Sequence, residues 1–135
     1  VYAELISVPQ DLPTLAKAFE VCVKAFRAGF GSSDTAEAIE HIRSETTELS
    51  KEEPGTNRAS EELGDLFLAV CAASVRYECD PEIALEQSLS KYLRRFRAME
   101  EKLSAKGLSF ADSDADLLNL LWQNVKKEEA EQSNL

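Results

Sequence analysis

Residues 57–77 read NRASEELGDLFLAVCAASVRY, and this stretch decides the fold. Leu63, Leu66, Phe67, Val70 and Ala73, continued by Ser74, recur at spacings of three and four, the period of a helix with one broad apolar face. Pro54-Gly55 breaks the chain just before it. The pattern predicts a central helix from about Asn57 to about Tyr77, against which the other elements pack.

Working outward, the same period returns on both sides. Upstream, Leu15, Phe19, Cys22, Val23 and Phe26 predict a first helix from about Pro13 to Ala28, stopped by Gly29 and Gly31. A second helix should start at Ser33 or Asp34, both good N-caps, and end near Lys51. Its apolar face, Ala38, Ile42 and Leu49, is thin. Downstream, Asp80-Pro81-Glu82 reads as an N-cap followed by Pro at the first helical position, opening a helix to about Ala105 that Gly107 closes. Ser113 is the expected cap of a last helix to about Glu129, with Leu117, Leu120, Leu121 and Val125 inward and a frayed EQSNL tail. Residues 1–12 read as irregular. No strand pattern and no internal repeat emerge. The expectation is an all-α protein, one domain over residues 1–135 with its core at about 12–130, built as an antiparallel bundle of about five helices. The thin second helix leaves the bundle poorly sealed, which favours a dimer that completes the core.

Composition narrows the function. Among 135 residues, 25 Asp and Glu against 15 Lys and Arg give a formal charge of −10, which repels nucleic-acid backbones and speaks against a broad DNA or RNA face. A small anionic ligand would need a local basic patch or a bound cation. Cys22, Cys71 and Cys79 are odd in number and form no CxxC or Cys/His pair, so neither a disulfide framework nor a zinc site is expected and a reducing cytoplasm is the natural setting. The longest apolar run, Leu66 to Val75, is too short for a membrane span. The opening VYAELISVPQ lacks a basic segment followed by an apolar one, so no signal peptide is expected in it.

Two acidic motifs carry the chemistry. Glu45-Thr-Thr-Glu48 lies on the second helix and Glu62-Leu-Gly-Asp65 on the third, each pair spaced i, i+3 on one helix face. The turn at Pro54-Gly55 can set the two faces opposite each other. Four converging carboxylates repel, and a cation would neutralise them. Mg²⁺ takes hard oxygen ligands and keeps positions open for water and phosphate. The lack of a paired His argues against iron, manganese or zinc as the resident ion, although Mn²⁺ stays open as a substitute. Gly64, in mid-helix, costs roughly 1 kcal/mol relative to Ala, so it calls for a reason such as a neighbouring backbone or a ligand approaching there. In a chain this charged, such spacings also arise on plain solvated faces, and spacing alone does not decide.

A basic and aromatic set follows. Lys91, Arg94 and Arg95 share a face of the fourth helix, and Trp122 and Lys126 share one on the last. Guanidinium forks and ammonium groups suit phosphates, and an indole could stack on a base. The cations could equally pair with Glu86, Glu100 and Glu101, and Trp122 could be core beside Leu118 and Val125. His41, the only histidine, stands one turn before Glu45.

Read together over residues 12–130, LPTLAKAFEVCVKAFRAGF, EELGDLFLAV, DPEIALEQSLSKYLRRFRAMEEKLSAKG and LLNLLWQNVKKEE resemble, in order and spacing, the MazG nucleotide pyrophosphohydrolases. The resemblance implies an all-α fold, a homodimer or dimer of dimers, and Mg²⁺-dependent cleavage of NTPs or dNTPs to a monophosphate and pyrophosphate, with house-cleaning of non-standard nucleotides as one role. It implies Glu45, Glu48, Glu62 and Asp65 as metal ligands. Lys91 and Arg95 would contact phosphates, joined by Arg94, Lys126 and Arg58, and Trp122 would contact the base. Glu45 or Glu48, with Glu61 as an outsider, would orient or deprotonate the attacking water. Three positions depart from the family pattern: His41 stands for a Lys, Ser44 for the first of two Glu, and Leu89 for an Asn. These departures keep two alternatives open, a dUTP- or dCTP-selective all-α pyrophosphatase and an impaired helical dimer that binds nucleotides or a partner.

Overall fold

Side-chain caps set where the last four helices begin. In the computed structural model, which describes residues 1–134, six helices form and no strand is present among the described residues. The helices are α1 (Tyr2–Leu5), α2 (Thr14–Arg27), α3 (Thr35–Ser50), α4 (Asn57–Arg76), α5 (Pro81–Ala105) and α6 (Ala115–Ser133). Asp34 caps α3 by accepting from the Glu37 N–H at 2.8 Å, while the Glu37 carboxylate reaches back to the Ser33 N–H at 3.0 Å, a reciprocal arrangement close to a capping box. The Ser33 hydroxyl, which also donates to Glu37, and then this N–H hold the Glu37 carboxyl below its usual range. Thr56 caps α4 through the Ala59 N–H, and Asp80 caps α5 through the Glu82 N–H with Pro81 at the first position.

Three boundary expectations need correction. Residues 2–5, read as irregular, form the short helix α1. The cap of α6 is Asp114, which accepts from the Leu117 N–H at 2.8 Å; Ser113 instead donates to the Ser109 carbonyl. The last helix also runs to Ser133, taking in most of the tail read as frayed; Leu135 lies outside the described residues. An apolar face explains α6 up to Val125, whereas its extension carries only polar residues and Ala130, which the 3.6-residue period does not register.

The chain comprises two units, Val1–Ala84 and Leu85–Leu135. In the first, α4 packs on both α2 and α3, and residues 51–56 turn the chain back so that α3 and α4 form a hairpin. Its buried apolar residues are small: Val8, Ala38, Ala69, Cys71 and Ala73. Leu63, Phe67 and Val70, expected to face the core, are exposed instead. Small side chains let helix backbones approach closely, so the alanine side of α4 turns inward and the large residues turn out. In the second unit, Met99 and Leu103 of α5 meet Leu121 and Val125 of α6, with Phe110 and Trp122 packed on that core. Leu120, expected inward, is exposed, because Leu121 and Val125 occupy the contact line. Lys102 joins Glu128 across the two helices at 2.8 Å.

Helix ends are closed by left-handed residues. Gly107 (φ 71°) ends α5 with the Leu108 N–H bonded to the Leu103 carbonyl. After α4 the same closure, Cys79 N–H to Ser74 carbonyl, falls on Glu78 (φ 53°), where a Cβ is unfavourable. Glu78→Gly should therefore raise stability by about 0.5–1 kcal/mol. A urea midpoint at or below that of the parent chain would contradict this account.

The three cysteines are free and differ in setting. Cys71 is buried and Cys22 half-buried, and burial, reinforced by the neighbouring Cys71 charge, pushes the Cys22 thiol up to about 11. Burial also raises Cys71. Cys79 is exposed. Native alkylation followed by mass spectrometry should label Cys79 first, with Cys22 and Cys71 reacting about 100-fold more slowly until denaturant is added. Equal labelling rates in the folded protein would show that the α2–α4 packing is wrong.

Candidate functional site

The α3–α4 hairpin sets the acidic pairs face to face. Glu45 of α3 and Glu62 and Asp65 of α4 bring one carboxylate oxygen each to within 4.8 Å of one another. Glu45 and Glu62 are half-buried and Asp65 is exposed. Partial burial and then the charges of Asp65, Glu45, Glu48 and Glu52 raise the Glu62 carboxyl above its usual range. Such a set of hard oxygen donors, held together against its own repulsion, fits a divalent cation. Glu48 stands outside this group of three: it is exposed, and its carboxylate meets Lys51 at 3.3 Å. Glu61 is exposed and outside it as well. His41 Nε2 lies 3.3 Å from Glu45 Oε1, one helical turn away.

Arg58 has a carboxylate partner that the sequence did not suggest. Its Nε donates to Glu52 at 3.2 Å, which raises the guanidinium above its ordinary range. Gly64 has nothing within 4 Å of where a Cβ would sit, so no backbone of this chain approaches it. The space there is open.

The basic and aromatic set lies in the second unit. Arg94 and Arg95 both donate through Nε to a single carboxylate, Glu129, at 3.2 and 2.8 Å. The pair holds the Glu129 carboxyl below its usual range, Arg95 contributing most. Arg95 also lies over the Trp122 ring, 5.5 Å from its centroid. Trp122 is half-buried among Tyr92 and Phe96, with centroids 5.6 and 6.5 Å away. Phe96 in turn stacks on Phe110 at 5.2 Å. Lys91 and Lys126 are exposed and have no ion-pair partner among the described residues. Sequence reasoning considered partners for the basic cluster only along its own helix. Glu129 comes from α6, and its distance along the chain hides that pairing.

Sequence reading also missed a cleft beside the carboxylates, about 1040 Å³ in volume and lined by Phe26, Phe30, Leu68, Val75 and Arg76 as well as Glu45 and Asp65. Phe26 was read as core, and the loop after it as a helix stop. The one available signal was Phe30 itself, an aromatic held between Gly29 and Gly31.

Several known proteins are similar to this chain. The chain is 27% identical over 132 residues to the nucleoside triphosphate pyrophosphohydrolase of Escherichia coli (strain K12), covering 95% of this chain and 50% of that protein. It is 31% identical over 115 residues to the nucleoside triphosphate pyrophosphohydrolase/pyrophosphatase MazG of Thermotoga maritima, covering 85% of this chain and 45% of that one. It is also 33% identical over 78 residues to the uncharacterized protein YabN of Bacillus subtilis, covering 58% of this chain and 16% of that one. No protein-family model matches the chain. The chain spans about half the length of the two pyrophosphohydrolases it matches. Across most of its own length, the chain is similar to proteins named nucleoside triphosphate pyrophosphohydrolase.

Proposed function

We propose that this chain hydrolyses nucleoside triphosphates to a monophosphate and pyrophosphate with Mg²⁺ as cofactor. One observation carries the reading: Glu45, Glu62 and Asp65 converge in a chain related throughout to proteins named for that reaction. Mn²⁺ would substitute, since the donors are all carboxylate oxygens. Glu45, Glu62 and Asp65 would hold the ion, with Glu48 reaching it once released from Lys51. Bound there, the cation would neutralise the carboxylates and acidify a water at the α-phosphorus. A carboxylate not fully engaged, Glu48 or Glu45 with Glu61 behind them, would orient that water and take its proton. Lys91, Lys126 and the terminal nitrogens of Arg94 and Arg95 would hold phosphate oxygens, with Arg58 contributing after leaving Glu52. Trp122 would lend an edge to the base. No helix among the described residues is long and apolar enough to cross a membrane, and the free cysteines suit a reducing compartment such as the cytoplasm.

His41 favours a second reading. Its contact with Glu45 competes for a metal-binding oxygen, as an impaired nucleotide-binding relative would tolerate. One assay separates the two: pyrophosphate release with Mg²⁺ across the standard NTPs and dNTPs, with dUTP and dCTP included for narrow selectivity. Turnover is expected, and Glu62→Gln and Asp65→Asn should each lower kcat at least about 100-fold while helicity persists by circular dichroism. Tight NTP binding without pyrophosphate would favour the impaired reading. Full activity in either variant would remove these residues from the metal site.

The same reading includes a homodimer, alone or paired into a dimer of dimers. On α4, Leu63, Phe67 and Val70 are exposed at the four-and-three spacing of a helix–helix seam, and Tyr77 at its C-cap is exposed one heptad after Val70. Burying each such side chain would contribute about 1.5–3 kcal/mol, stabilisation that an isolated chain leaves unused. Sedimentation at micromolar concentration should report at least twice the 15.0 kDa chain mass. Phe67→Glu should shift the protein to monomer; a parent chain that already sediments as a monomer would end this part of the reading.

A further inference from the structure

The cleft in the first unit is continuous with the carboxylate group, because Glu45 and Asp65 line both. Glu37, Glu40 and His41 of α3 line it as well, and with Ser32, Ser44 and Arg76 they are its other polar residues; the rest of its wall is apolar and aromatic. At about 1040 Å³ it is large enough for a small-molecule ligand of ordinary size, since such sites run from about 300 to 1,000 Å³. A triphosphate would not enter an apolar wall, but the flat, uncharged end of a nucleotide would.

Two side chains make the apolar end specific. Phe30 is 80% exposed although it lines the cleft, so its ring is available to a ligand. It sits between Gly29 (φ 95°) and Gly31 (φ 151°), and a Cβ at Gly31 would lie 3.4 Å from the Phe26 ring. The glycines therefore let the loop take this conformation and pass close to Phe26. Arg76 is held from two sides: its Nε donates to the Ser32 carbonyl, and its guanidinium lies 4.4 Å over the Phe26 ring. The bond to Ser32 uses Nε, and the terminal nitrogens make no hydrogen bond among the described residues. An arginine has donors only, so its free fork selects acceptors. Elsewhere in the chain, Trp122 has Tyr92, Phe96 and Arg95 around its ring, leaving Phe30 as the more available stacking surface.

We propose that this cleft receives the nucleobase of the substrate, with Phe30 as the stacking face and Arg76 donating to a base carbonyl oxygen. Bases that carry a carbonyl oxygen, guanine and uracil among them, would then be preferred over adenine, which has none. The proposal rests on the hydrolase reading for the phosphate end of the ligand, and the experiment separates the two. Pyrophosphate release is measured with GTP, UTP and ATP, and inorganic tripolyphosphate serves as a base-free competitor. Phe30→Ala should raise KM for GTP and UTP about tenfold, the scale of one lost stacking contact, with kcat within about twofold and the tripolyphosphate Ki unchanged. Arg76→Met should raise KM for GTP and UTP more than for ATP. An unchanged KM in Phe30→Ala overturns the proposal, as does a tripolyphosphate Ki that rises in parallel with KM. It is likewise overturned if Phe30→Ala alters only the sedimentation, since a second copy would then fill the cleft. Should the parent chain release no pyrophosphate from any substrate, the hydrolase reading falls, and calorimetric titration with GMP decides the pocket. GMP binding that Phe30→Ala abolishes sustains it, and absence of GMP binding overturns it.

Discussion

Repulsion among Glu45, Glu62 and Asp65 is the constraint on which the first unit turns. One carboxylate oxygen of each lies within 4.8 Å of the others because α3 and α4 pack together as a hairpin. The buried side chains of α3 and α4 are small, Ala38, Ala69, Cys71 and Ala73, and the packing that buries them also brings the charges together. Partial burial first, and that repulsion second, raise the proton affinity of Glu62. A folded element that concentrates like charge gains stability from whatever neutralises it, so packing and ion binding are linked in the same few residues.

Charge is handled differently in the second unit. There Glu129 gathers Arg94 and Arg95 through their Nε atoms, and the Trp122 ring supports Arg95 from the side. Each Arg spends one donor on this support and keeps its terminal nitrogens. Long cationic side chains lose much conformational entropy when they grip a ligand, and a carboxylate that fixes them beforehand reduces that loss. In a chain of net charge −10, such local order matters more than the overall field.

The apolar residues tell a related story. The first unit buries small side chains and leaves Leu63, Phe67 and Val70 of α4 exposed. Period alone marks these and Ala73 as one apolar face, because it counts hydrophobicity and not size. In α4 two lines of apolar residues run side by side, and the narrower one lies against α2 and α3. Helix propensity cannot choose between them; the contact geometry does, since alanines permit an approach that Phe67 would block.

Local sequence pattern is enough to read the all-α class, five of the six helices to within a few residues, the cap at Asp80, a cap at Ser33 or Asp34, and the two acidic pairs. Those features depend on local chemistry: helical period, a short side chain reaching an N–H two or three residues on, and i, i+3 spacing. The family resemblance was likewise legible, because it rests on the order of motifs along the chain. Packing in three dimensions is what gathers Glu45, Glu62 and Asp65 into a group of three without Glu48 and pairs Arg58 with Glu52. It alone joined Glu129 to Arg94 and Arg95, and opened a cleft between Phe30 and Arg76. Each of these depends on which face of a helix meets which neighbour across tens of residues. A one-residue turn of a helix rotates its side chains by about 100°, so small differences in packing redirect them, and no local pattern records the result.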